Sequence, residues 1–234
     1  MLTAILVDGG FYRKRAHALW GDKSAEERAR ELEDYCKQHI LKEHAELYRV
    51  FYYDCPCSTE SVHHPLKQKN INLRKSDVMK WSSLFFEELK KKRKFALRLG
   101  RLSKLSSYSI SKDATKALLS GKKQLSDLTD QDFYLDIVQK GVDMRIGLDI
   151  ASLAYKKLVR QIILISGDSD FVPAAKLARR EGIDFILDPL WAHIEPDLFE
   201  HIDGLYSCCE KPKPKIVKQT LTDQDVSKNQ NEGL

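Results

Sequence analysis

No stretch of this 234-residue chain reaches the run of about 18 apolar residues that a membrane-spanning helix requires. The opening MLTAILVDGG has neither a basic leader nor a long apolar segment, so a secretory signal is not expected there. Cysteine is sparse and odd in number: Cys36, Cys55, Cys57, Cys208 and Cys209. That count argues against a disulfide framework and for reduced thiols in a cytoplasm. Cys55-Pro-Cys57 followed by His63-His64 has tighter spacing than a structural zinc site and no second cysteine pair. The adjacent Cys208 and Cys209 read as ordinary small apolar side chains. There is no GxSxG elbow and no phosphate-binding P-loop, which leaves serine hydrolysis and nucleotide hydrolysis without a motif. No internal repeat is present. Charge is nearly balanced, 39 basic against 34 acidic residues, so the distribution of charge says more than its total.

Short apolar runs bounded by turn residues are present instead. Leu2 to Val7, Leu47 to Tyr53, Gln161 to Ile165 and Ile183 to Leu187 read as buried strands. Phe95 to Leu102 reads as a further, partly alternating strand. Ser24 to Ile40 has helical periodicity, with Ser24 and Glu27 forming a capping box. Val78 to Lys92 and Phe171 to Arg180 read as helices, and Gln131 to Tyr155 as a helical stretch interrupted at Gly141. Strand, helix, strand at this spacing predicts a right-handed βαβ unit, hence an α/β fold with a mainly parallel sheet flanked by helices. Residues 1–209 are expected to form one domain, with a basic insertion over about 55–121. Residues 210–234 are polar and almost without aromatics, the composition of a disordered tail.

Acids gather where such a sheet binds ligands, at the carboxyl ends of its strands. Asp8 closes the first strand, and Asp168 and Asp170 follow the strand that starts near Gln161. Asp143 stands just after Gly141, where a helix begins. Taken alone, Asp143 is a helix-cap residue and Asp8 a turn residue. Taken together, four carboxylates on one edge raise each other's pKa unless a cation lies among them. Oxygen donors of this kind suit Mg²⁺ or Mn²⁺. Asp149 lies six residues after Asp143 and off its helical face, so it is expected behind the ligands as a half-buried support.

VDGGF, RVFYYDCP, KGVDMRIGLDIASLA and ISGDSDFVPAAKLARREG together resemble a bacterial NYN domain, a branch of the PIN-like nucleases. The resemblance extends from about Leu2 to Tyr206. It implies a PIN-like three-layer fold and metal-dependent hydrolysis of RNA that leaves a 5′-phosphate and a 3′-hydroxyl, more in the manner of an endonuclease than an exonuclease. It makes Asp8, Asp143 and Asp168 the catalytic acids, and those three with Asp170 the metal ligands. Ser166 takes the small hydroxyl position before the third acid. Many relatives carry an asparagine soon after the first aspartate, where this chain has Gly10 and Phe11. PIN-like domains often pair, so the resemblance also admits a homodimer.

Lys90 to Lys104, KKKRKFALRLGRLSK, holds eight basic residues and no acid. Alone this run reads as a solvated helix end and a guarded edge strand. Beside an acidic metal edge it reads as a contact for phosphates, through Arg93, Lys94, Arg98 and Arg101. The expected partner is RNA, and single-stranded DNA satisfies the same chemistry. Tyr52 and Trp81 read as core aromatics, while Tyr53 fits either the core or a base-stacking surface. Two other functions compete. GDSD resembles the late acidic motif of haloacid-dehalogenase-like phosphohydrolases, but the second acid of their first strand is replaced here by Gly10. A nucleic-acid-binding regulator with little turnover would carry the same residues.

Overall fold

The first apolar run forms β1 (Leu2–Asp8), and its inner residues Ala4 to Val7 have no solvent contact. This is a computed structural model, and it describes residues 1–102, 107–137 and 139–212. Most of the expected tail, 213–234, lies outside the described residues, as does Lys104. Asp8 ends β1 and caps α1 (Gly9–Trp20), its carboxylate accepting from the Phe11 N–H. Next come α2 (Ala25–Lys42), β2 (Glu46–Asp54), and the hairpin of β3 (Ser61–His64) and β4 (Lys69–Asn72). The expected capping box is present at the start of α2: Ser24 accepts from Glu27 N–H while Glu27 accepts from Ser24 N–H.

The chain continues through α3 (Asp77–Lys90), β5 (Phe95–Leu99), β6 (Arg101–Leu102), β7 (Ser107–Ile110) and α4 (Lys112–Leu119). It then forms β8 (Phe133–Asp136), β9 (Gln139–Lys140), α5 (Val142–Tyr155) and β10 (Gln161–Ile165). Finally α6 (Val172–Arg180), β11 (Asp184–Asp188), α7 (Pro196–Glu200) and β12 (Gly204–Leu205) close the described chain.

Six strands form one parallel sheet in the order β12-β11-β10-β1-β2-β5. Alternation along β1 divides the core. Ala4 and Leu6 face α5 and α6, where Ile146, Ile150 and Ala175 are fully buried. Ile5 and Val7 face the other layer, with Tyr12, Leu32 and Phe85 from α1, α2 and α3. Each fully buried Leu, Ile or Phe contributes roughly 1.5–3 kcal/mol, so a central strand covered on both faces anchors the domain. The α/β architecture with helices on both faces is as the sequence predicts.

Three expectations change. Helix does not begin at Gln131: residues 130–132 form a short 3₁₀ turn, β8 pairs antiparallel with β7, and β9 pairs with β6. Gly141 has φ +80°, a left-handed conformation that no helix interior accepts, so the helix starts only at Val142. The strand Phe95–Leu102 breaks at Gly100, where an added Cβ would stand 2.8 Å from the Lys140 carbonyl oxygen. Third, the span 55–121 is not one excursion. α3 packs its Phe85 and Leu89 into the core and β5 pairs with β2 in the central sheet. The segments outside that sheet are the β3–β4 hairpin and the stretch from β6 to β9.

Candidate active site

Between β1 and β10 the strand order runs outward in two directions, the switch point at which parallel sheets open a crevice at their carboxyl edge. Asp8 stands at the end of β1 and Ser166, Asp168 and Asp170 follow β10 directly. Ser166 is fully buried and donates its hydroxyl to Asp8 Oδ2 at 3.2 Å, while the Phe11 N–H holds Asp8 Oδ1 at 3.1 Å. Asp8 is thereby fixed through both oxygens. The Asp168 N–H lies 3.4 Å from the same Ser166 hydroxyl, and Asp168 Oδ1 accepts from the Asp170 N–H at 2.9 Å. One small hydroxyl therefore ties the first acid to the loop of the third and fourth.

Asp143 arrives from the first turn of α5, two residues past the left-handed Gly141. Burial raises its carboxyl above the usual range, and the charges of Asp168 and Asp170 raise it further. Burial also raises Asp8, opposed by the Phe11 N–H and Ser166 hydroxyl and reinforced by Asp143 and Asp54. The four expected acids thus share one electrostatic neighbourhood. Asp143, Asp168 and Asp170 are exposed, and Asp8 is half-buried beneath them.

Asp54 was missed in the sequence reading, although RVFYYDCP was singled out. It ends β2 beside Asp8, and burial raises its carboxyl while Arg13, the Cys55 N–H and the Tyr52 hydroxyl pull it back. Arg13 Nη2 pairs with Asp54 Oδ1 at 3.0 Å, and the Tyr52 hydroxyl donates to Oδ2 at 3.1 Å. The available signal was an acid closing a strand parallel to β1. Gly9 completes this corner, since a Cβ there would lie 2.6 Å from the Tyr52 ring and from the Tyr53 carbonyl oxygen.

Asp149 is partly buried on α5. Its Oδ2 accepts from the Tyr53 hydroxyl at 2.8 Å and from Arg98 Nε at 3.0 Å, joining α5 to β2 and β5. Tyr53 and Tyr52 are fully buried, so neither offers a base a face, and Trp81 stacks on Phe85 with its Nε1–H on the Lys23 carbonyl. The basic run is drawn out in space. Arg93 and Lys94 precede β5, at the amino edge of the sheet, and Lys94 Nζ donates to the Leu47 carbonyl. Arg98 is engaged by Asp149 and lies over the Phe51 ring. Arg98 is level with Asp8 through the β1–β2–β5 register, and Arg101 lies beyond it on β6, paired across the ladder with Lys140.

The donors at the edge are oxygens only, the chemistry of Mg²⁺ or Mn²⁺. No three of the Asp8, Asp143, Asp168 and Asp170 carboxylates bring oxygens within 4.8 Å of one another. Among the described residues that spacing occurs only in Asp197, Glu200 and His201, a surface cluster around the five-residue α7. Mg²⁺ is commonly bound through one or two carboxylates and retains several waters, which an open set of acids accommodates.

The profile of the NYN domain matches residues 85–193. Residues 85–193 are an NYN domain. The NYN family is one of nucleases, generally metal-dependent, and the domain implies a nucleic-acid substrate. The matched span holds Asp143, Asp149, Ser166, Asp168 and Asp170, while Asp8 and Asp54 reach the NYN edge through the pairing of β1 with β10 and β2. No curated protein matches the chain. A crystal structure of a protein of unknown function from Vibrio parahaemolyticus is similar over 87% of this chain and 90% of that one, at 14% identity and a TM-score of 0.43. Among the described residues no helix is long and apolar enough to cross a membrane.

Proposed function

We propose that the protein is a metal-dependent ribonuclease that hydrolyses RNA phosphodiester bonds in the cytoplasm and leaves a 5′-phosphate and a 3′-hydroxyl. The observation that carries this reading is one of charge pairing. Of the acids at the carboxyl edge, Asp54 has Arg13, and Asp188 is held by Tyr35, His39, Ser207 and the Leu190 N–H. Asp8, Asp143, Asp168 and Asp170 have no ion-pair partner among the described residues. Four neighbouring carboxylates that no protein ion pair neutralises favour an external cation.

Asp8, Asp143 and Asp168 would hold the ion, with Asp170 assisting. A bound Mg²⁺ or Mn²⁺ supplies a nucleophilic water at neutral pH and offsets charge at the phosphate. The chain's own contribution is placement. Ser166 and the Phe11 N–H fix the orientation of Asp8, and Asp168 is held by the turn it caps. Asp149, gripped by Tyr53 and Arg98, holds α5 in place and with it Asp143. Arg101 and Lys140 would contact phosphates flanking the cleaved bond.

The test compares a labelled RNA with single-stranded loops in Mg²⁺, Mn²⁺ and EDTA, with Asp168→Asn in parallel. Cleavage that depends on metal and disappears in the variant supports the reading. Equal behaviour of wild type and variant rejects it and leaves a nucleic-acid-binding regulator.

A further inference from the structure

The acidic edge continues into a groove of about 430 Å³ between α5 and α6. Asp143 and Asp170 stand at its mouth, and Met144, Gly147, Leu148, Ala174 and Leu177 form most of its walls. Met144 and Leu148 are 67% and 61% exposed, so an apolar surface lies open directly beside two of the four carboxylates.

Gly147 is the informative residue. It lies in the interior of α5, where glycine weakens a helix relative to alanine. Neither usual reason for glycine applies. Its φ is not in the left-handed region, and a Cβ added there meets no atom within 4 Å. Gly9, Gly100 and Gly167 differ, because a Cβ at each would come within 3 Å of a neighbour. The fold therefore tolerates a side chain at 147, and no contact within the chain accounts for the gap in the helix wall.

We infer that this groove is a nucleobase subsite, holding the base of a nucleotide that flanks the phosphate at the carboxylates, with Gly147 leaving room for the ring. The inference rests on the nuclease reading. An apolar slot next to a phosphate site matches a nucleotide, which joins a charged phosphate to a flat, weakly polar ring. The base must be unpaired to enter, since a paired base has its faces covered by stacking within the duplex. Met144 and Leu148 on one wall and Ala174 and Leu177 on the other would cover the ring faces.

The test uses Gly147→Leu and Gly147→Ala, with a single-stranded RNA oligonucleotide and a set in which each nucleotide in turn lacks its base. Affinity is read in the Asp168→Asn background, where no turnover interferes. Loss of one stacked base weakens binding by about tenfold. The expected result is a loss of about that size at one abasic position with Gly147 present, and a similar loss for Gly147→Leu on the intact oligonucleotide. In Gly147→Leu the abasic substitution should then cost nothing further. Gly147→Ala should melt at or above the wild-type temperature, which separates loss of the subsite from loss of fold. Equal binding by wild type and Gly147→Leu, or equal sensitivity to every abasic position, overturns the inference. So does a change from dimer to monomer on sedimentation of Gly147→Leu with RNA affinity intact, which makes the groove an interface between copies. Failure of the nuclease reading is seen separately, as absence of metal-dependent cleavage in a chain with Gly147 and Asp168 both intact.

Discussion

Replacing Arg13 by alanine isolates the one carboxylate of this edge that carries its own cation. Asp54 has no accessible side-chain surface, and Arg13 is 26% accessible. Breaking a buried pair from one side costs about 3–5 kcal/mol, because the remaining charge stays buried without compensation. Here two donors remain, the Cys55 N–H at 2.7 Å and the Tyr52 hydroxyl at 3.1 Å, and water can enter where the guanidinium stood. The lower end, about 3 kcal/mol, is therefore expected at neutral pH. For a chain of this size that corresponds to a fall in Tm of roughly 6–12 °C.

Adding Asp54→Asn should return most of the loss, since no charge is then left in the interior. The pH dependence has a definite sign. Burial already raises the Asp54 carboxyl, and Arg13 is the first influence opposing it, so removing Arg13 raises it further. A carboxyl raised in the folded state destabilises once it must ionise, so the deficit of Arg13→Ala should shrink as pH falls through the folded-state value. Urea unfolding of both variants across a pH series measures all of this. A loss below about 1 kcal/mol, or no recovery in the double variant, would refute the assignment of Asp54 as a buried charge held by Arg13.

Titrating Mg²⁺ or Mn²⁺ should raise the wild-type Tm. At one hundred times Kd the gain is about 2.7 kcal/mol, or roughly 5–11 °C, and it should vanish in the Asp143→Asn, Asp168→Asn double variant. An equal shift in that variant would place the ion elsewhere. Gly9→Ala should destabilise by about 1–3 kcal/mol in urea, because the added methyl meets a backbone oxygen that cannot rotate away. Arg101→Ala should reduce the dependence of log affinity for RNA on log salt by about one phosphate contact, while Arg93→Ala leaves it unchanged. The reverse pattern would put the nucleic acid across the amino edge of the sheet.

Asp8 and Asp168 stand out in the sequence because each follows an apolar run, and the end of a buried strand is where a polar side chain regains solvent; Asp54 closes such a run too and was passed over, while Asp143 opens a helix. The sequence carried the basic surface poorly for a related reason. Lys94 and Arg101 are close in the chain, but β5 runs between them, and about 20 Å of extended backbone separates the two edges of the sheet. Clustering in sequence was read as clustering in space. The helical reading of residues 131–140 failed because β8 and β9 take their hydrogen bonds from β7 and β6, contacts that no local periodicity reports. Glycine held information in two opposite forms. Gly141, with its positive φ, already marked a break in the helical pattern of the sequence, whereas the close approach that explains Gly100 becomes legible only with coordinates.

Asp54 and Asp188 show what this fold does with an acid it intends to keep for itself: each is buried and surrounded by donors. The chain has 39 lysines and arginines, enough to pair every acid it carries. At the switch point it nevertheless turns one hydroxyl and a few backbone N–H groups toward Asp8 and Asp168, and among the described residues no guanidinium or ammonium lies within ion-pair distance of them. Hydrogen bonds of that kind orient a carboxylate without consuming its charge. Orientation with the charge left available is what the proposed role as ligand to an exchangeable cation requires of Asp8 and Asp168, and Asp143 and Asp170 share with them a charge that has no ion-pair partner among the described residues.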